Sequence, residues 1–105
     1  MIGQKRNDNN IQKGYIMYKY ESEKANLFSE KSQVDFLKIR DNVRYLLSIS
    51  GAVMMNDAIK VSTSSDTWFK LACVDRLVEL GELKEVSEPN CAGQFRVFIS
   101  PSSRL

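Results

Sequence analysis

"RLVELGELKEVSEPNCAGQFRVFIS", Arg76 to Ser100, sets out in order the events on which the fold turns. Apolar residues at helical spacing run up to Gly81. A half-buried strand pattern follows, with Leu83 on one side and Lys84 on the other. Pro89, Asn90 and Gly93 mark a turn, and "QFRVFIS" reads as a second strand, Phe95, Val97 and Ile99 on one face and Arg96 and Phe98 on the other. Gly81 suits a helix stop because glycine adopts the left-handed backbone of a C-terminal cap without steric cost. Two strands joined by a glycine-containing loop predict a hairpin from Glu82 to Ser100.

Working backward, the spacing predicts a helix from Asp66 to Leu80, capped by Ser64 or Ser65. "STSS", Ser62 to Ser65, breaks a shorter helix running from Asp57 to about Val61, because hydroxyl side chains compete for the backbone's own hydrogen bonds. Asn56 is the expected cap of that short helix, and Asp57 favours its positive end. "AVMM", Ala52 to Met55, suits a brief strand. Upstream, "ANLFSEKSQVDFLKIRDNVRYLLSISG" reads as a helix that Gly51 ends; Phe36, Ile39, Val43, Leu46, Leu47 and Ser50 line one face, with Lys38, Arg40, Asp41 and Arg44 mostly off it. Ser32 is a candidate cap, with Ser29 its rival one turn earlier. "YIMYKY" fits a short strand or an extended segment packed on the domain. The chain thus divides into a polar arm expected to be flexible (1–16), an ordered N-terminal extension (17–32), a domain (33–101) and a short tail (102–105). The fold class is α+β, mainly α. The start of translation stays open between Met1 and Met17.

A chain of 105 residues with 43% hydrophobic and 27% charged residues has the makings of one small core. No stretch approaches a membrane span, and the first residues lack the apolar run of an export signal, so a cytoplasmic location without membrane contact is expected. Cys73 and Cys91 are too far apart for a C-x-x-C motif and the chain has no histidine, so both are expected as free thiols, with no metal and no cofactor. Missing histidine also removes the commonest general base, which points away from an enzyme. The carboxylates of residues 79 to 88 fit a solvated strand face better than acid–base work. The net charge of +2 is unevenly spread: residues 1 to 24 hold five cations against three carboxylates, residues 57 to 90 four against seven.

The order of helix, short strand, short helix, serine-rich turn, longer helix, glycine, strand, loop and strand resembles the winged helix-turn-helix superfamily of bacterial and phage regulators, over roughly Gln33 to Ser100. "RLVELGELKEV" is similar to the end of a recognition helix entering a first wing strand. The resemblance implies Leu77 and Val78 in the core, and Leu83 and Val86 as inward strand positions. It also implies a non-enzymatic regulator bound to double-stranded DNA, the longer helix reading the major groove and the hairpin serving as the wing. On that reading Ser62, Thr63, Ser64, Ser65, Thr67 and Lys70, with Arg76 and Arg96, are the candidate DNA contacts, and Lys5, Arg6 and Lys13 add phosphate contacts from the arm.

Two features favour protein contacts instead. Glu82, Glu85 and Glu88 form an acidic stripe on the wing, which would repel phosphate if it faced a duplex. The longer helix is apolar on two sides: Thr67, Leu71, Val74 and Val78 cluster on one, with Leu77 at its margin, and Phe69, Cys73 and Leu80 nearly opposite. That second face is either covered by "YIMYKY" or "LFSE", or it is a partner interface, most simply of a homodimer. Trp68 is expected to pack between the two faces. The alternative function is therefore a protein-interaction module, an adaptor or antagonist of the kind mobile elements encode, that does not bind DNA.

Overall fold

The computed structural model describes residues 17–102. The chain forms a mainly helical α+β domain with a three-stranded antiparallel sheet. Helix α1 (Tyr20–Glu23) passes directly into a 3-10 turn (Lys24–Leu27). There follow α2 (Glu30–Ser50), β1 (Ala52–Met54), α3 (Met55–Ile59), α4 (Thr67–Glu79), β2 (Lys84–Glu85) and β3 (Val97–Ile99). Strand β3 lies in the middle, antiparallel to both β1 and β2, with Phe98 opposite Val53 on one side and Glu85 on the other. The hairpin from Glu82 to Ser100 is thus present, although its ladder is short and its loop carries a 3-10 turn at Gly93–Phe95.

Both glycine stops behave as their chemistry dictates. Gly51 ends α2 with φ 78°, and Gly81 follows α4 with φ 83°. At Gly81 the Glu82 amide donates to the Leu77 carbonyl and the Gly81 amide to that of Val78, the paired bonds that satisfy a helix's last free carbonyls.

The starts of the helices depart from expectation. Ser29, not Ser32, caps α2: its hydroxyl accepts from the Ser32 amide at 3.1 Å, and Ala25 to Phe28 stand outside the helix. Asn56 caps nothing. Helix α3 begins at Met55, directly off β1, because the Met55 amide is used by the Arg96 carbonyl at 2.7 Å and its side chain fills the core. Helix α4 is capped by Asp66, whose carboxylate accepts from the Phe69 amide at 3.1 Å, and not by Ser64 or Ser65. A carboxylate adds charge attraction at a helix's positive end, which a serine cannot supply.

The core joins the α2 stripe (Phe36, Ile39, Val43) to Val53, Met55, Ala58, most of α4, Leu83 and Phe98. Leu27, fully buried, seals it from the N-terminal side. Leu77 and Leu83 are inside as expected and Val78 packs against the core, but Val86 is exposed, although its amide still donates to the Val97 carbonyl at 2.9 Å. Phe98 and Ile99, neighbours on β3, are both buried, so the expected separation into an inner and an outer face fails there. Phe95 belongs to the 3-10 turn and is exposed.

Candidate functional site

The loop entering α4 is built from hydroxyls that hold one another's backbone. Ser62 Oγ accepts from the Ser64 amide and Ser64 Oγ from the Asp66 amide, each about one turn bond of 3.0 to 3.1 Å. The Ser62 hydroxyl also donates to Asp35 on α2, which pins the loop to the first long helix. Between them lies a cleft of about 700 Å³, walled by Lys31, Asp35 and Lys38 of α2, by Thr63 to Asp66 of the loop, and floored by Phe69. Thr63 and Ser65 on its wall are exposed, as is Thr67 at the start of α4, while Ser62 and Ser64 are half-buried and already bonded.

Of the residues expected to contact DNA, the structure brings Ser62, Thr63, Ser64, Ser65, Thr67 and Lys70 to this one end of α4. It sets Arg76 and Arg96 apart from them, and it occupies both. Arg96 places four of its five N–H donors on carboxylates, reaching Asp75 at 2.7 Å and Glu85 at 2.8 Å, with its side chain only 16% exposed. Those two carboxylates hold the guanidinium even more firmly protonated than usual, and Arg96 in turn pulls the Glu85 carboxyl below its ordinary range. Arg76 pairs with Glu79 at 2.9 Å and stacks its guanidinium over the Phe28 ring. Arg76 and Arg96 are thus each held against carboxylates of the fold.

The same holds for every arginine among the described residues, since Arg40 meets Asp41 and Arg44 meets Glu82. The acidic wing stripe is likewise largely absorbed, Glu82 by Arg44 and Glu85 by Arg96. The cations left without a carboxylate within 4.0 Å among the described residues are lysines: Lys19, Lys31, Lys38, Lys70 and Lys84. Lys31 and Lys38 were not among the expected contacts. Their signal was their seven-residue spacing on the polar side of α2, invisible as a site until the fold set the serine loop beside it.

One side of α4 is covered by the chain's own N-terminal segment. Trp68, Ala72, Asp75 and Glu79 share that side, and the Tyr18 ring meets Trp68 edge-on at 6.3 Å while its hydroxyl donates to Asp75 at 2.7 Å. Burial, and then the Asp75 carboxylate, raise the Tyr18 hydroxyl well above the ordinary phenol range. Tyr20 and Lys24 both donate to Glu79 at 2.6 Å. Lys24, Tyr20 and Arg76 together hold the Glu79 carboxyl down at about 2.

The expected partner face resolves in the same way. Phe69 and Cys73 are buried within the single chain, so they present nothing to a partner; Leu80 alone of the three is exposed. Burial pushes the Cys73 thiol up to about 12, whereas Cys91 is half-buried; both are free. Lys5, Arg6 and Lys13 lie outside the described residues. Among the described residues no three metal-ligating side chains converge, and no helix is long and apolar enough to cross a membrane. Comparison with protein-family models, with curated proteins and with solved structures finds no match.

Proposed function

We propose that this chain is a winged-helix domain that acts through protein contacts, with no catalytic role, and that its longer helix does not read a DNA groove. The sheet order β1-β3-β2, with α3, a serine loop and α4 between the first two strands in sequence, supports the winged-helix reading. The observation that carries the functional reading is the cover on α4. A helix seated in a major groove must offer its outer side to base edges. Here Tyr18, Tyr20 and Lys24 lie across one side of α4 and are bonded to its second half at Asp75 and Glu79, which leaves that side less free to approach a duplex.

Electrostatics supports the same conclusion. The described residues hold eleven lysines and arginines against twelve aspartates and glutamates. Phosphate affinity comes from cations that displace counterions, and four of the eleven are arginines already paired. A titration of the full chain with labelled mixed-sequence duplex at physiological salt should show no binding tighter than about 10⁻⁴ M, the weak edge of non-specific association.

The second reading, a DNA-binding regulator, draws on the cleft end of α4, where Thr63, Ser65 and Thr67 are exposed and Lys31, Lys38 and Lys70 stand without carboxylate partners. A micromolar duplex affinity that drops roughly tenfold in a Lys31→Ala/Lys70→Ala variant would overturn the protein-contact reading and establish this one.

A further inference from the structure

Two stretches of the chain bury no residue of their own. From Met17 to Ser22, and again from Lys84 to Ala92, every position is half-buried or exposed. Stretches with few buried contacts are the parts of a fold that open first. Both are gripped by polar side chains, and the two grips meet at one carboxylate. Tyr18 donates to Asp75 at 2.7 Å. Arg96 donates to the same Asp75 at 2.7 Å and to Glu85 at 2.8 and 2.9 Å, so the outer strand of the hairpin reaches Asp75 through the guanidinium.

The middle of this chain of bonds is fixed where its ends are not. Asp75 belongs to α4. The Arg96 carbonyl accepts from the Met55 amide at 2.7 Å, and its guanidinium lies over the ring of the fully buried Phe98. The Asp75 and Arg96 side chains are only 14% and 16% exposed. In such a setting hydrogen bonds polarise one another, and charges attract through little solvent. Lifting the Tyr18 ring away lets water reach Asp75, which weakens its hold on Arg96 and, through Arg96, on Glu85. Loss of Glu85 frees Arg96 in the reverse sense. Tyr18 and Glu85 make no hydrogen bond to each other; Asp75 and Arg96 join them.

From this we infer that residues 17–22 and 84–92 are the two ends of one conformational relay centred on Asp75, in which release of either end loosens the other. The inference rests on the protein-contact reading for its use: a partner that takes hold of one stretch is felt at the second, and the coupling is reciprocal.

Amide hydrogen exchange of the full chain tests it. The Val86 amide, bonded to the Val97 carbonyl at 2.9 Å, reports the hairpin end, and that of Val43, in the middle of α2, reports global unfolding. In the parent Val86 should exchange faster than Val43, the mark of an opening short of unfolding. Tyr18→Phe, which removes a single hydroxyl at the far end, should speed Val86 by about threefold or more. A double-mutant cycle in urea gives a second measure. Tyr18→Phe and Glu85→Gln together should raise the unfolding constant about threefold less than the product of their separate effects. In an Asp75→Asn background the two effects should simply multiply. Neither readout involves nucleic acid, so failure of the relay is distinct from failure of the protein-contact reading, which the duplex titration tests. Val86 exchange that matches Val43 in the parent or ignores Tyr18→Phe, multiplicative effects in the parent, or coupling that survives Asp75→Asn would each overturn the relay.

Discussion

The two long helices carry their apolar residues in opposite ways. Helix α4 is enclosed, with Phe69, Leu71, Ala72, Cys73, Val74 and Leu77 all buried and its remaining side clasped by Tyr18, Tyr20 and Lys24. Helix α2 is longer but buries only Phe36, Ile39 and Val43, leaving a bare stripe outside. Sequence periodicity suggests a one-faced α2 and an α4 with a second apolar face, covered either by the N-terminal segment or by a partner. The difference teaches that a second apolar face marks an interface only if the chain has nothing of its own to lay upon it. Here residues 18–28 supply the cover for α4, and among the described residues Val34, Leu37, Tyr45 and Ile49 of α2 stay exposed.

The largest effect should come from removing that cover. Leu27→Ala empties a fully buried position between the N-terminal segment and the core and should cost about 2–5 kcal/mol in urea unfolding. Ile49→Ala, on the bare stripe, should stay within about 0.5 kcal/mol. Equal costs at the two sites would erase the contrast between the helices. Next in size, Asp75→Ala removes the acceptor of the Tyr18 hydroxyl and one of the two carboxylates on Arg96. With both side chains of the ion pair under a fifth exposed, about 3 kcal/mol should be lost. Arg96→Ala should cost as much, because it leaves Asp75 and Glu85 facing each other without a cation.

Much of this architecture is legible in the sequence where one residue has one physical role. The glycines at 51 and 81 stop their helices, the α2 stripe is inside at Phe36, Ile39 and Val43, and the last strand pairs with the one that begins after Leu83. Cap choice was less legible, since Ser29 and Ser32, or Ser64, Ser65 and Asp66, each offer an oxygen to a nearby amide. What decides is which residue the chain leaves extended at the helix edge. The site was least legible of all. Arg76 and Arg96 looked available because their carboxylate partners come from other turns or strands: Glu79 one helical turn on, Asp75 across the core edge and Glu85 across the hairpin. The Arg76–Glu79 pair is a local i,i+3 spacing that was there to be read, whereas the Arg96 pairs depend on tertiary contact and leave no local pattern.

The enclosure of α4 can be read out chemically. Cys73 is fully buried with its thiol raised to about 12, first by burial and then by Asp35, whereas Cys91 is half-buried on the hairpin loop. A thiol reagent at pH 8 should modify one cysteine quickly and the other only on unfolding, since the thiolate is the reactive form. Adding Leu27→Ala should speed the slow phase. Two equally fast thiols in the parent would mean that the cover over α4 opens freely.

The smallest effect lies at the exposed end of the clasp. Glu79 accepts from Lys24, Tyr20 and Arg76, and its carboxyl sits at about 2, below the ordinary value near 4.5. A group lowered on folding stabilises the native state above its unfolded pKa and loses that contribution as pH falls toward the folded one. The clasp should therefore be at full strength at pH 6 and weaken between about pH 4.5 and pH 2. Glu79→Gln removes the titration without removing the bulk, so its urea midpoint should fall less steeply over that window than the parent's. Because the pair is exposed, salt at 1 M should shrink the difference between the two curves. Parallel acid profiles for parent and variant would show that Tyr20 and Lys24 contribute nothing to holding the segment on α4, leaving Leu27 and Tyr18 to do so alone.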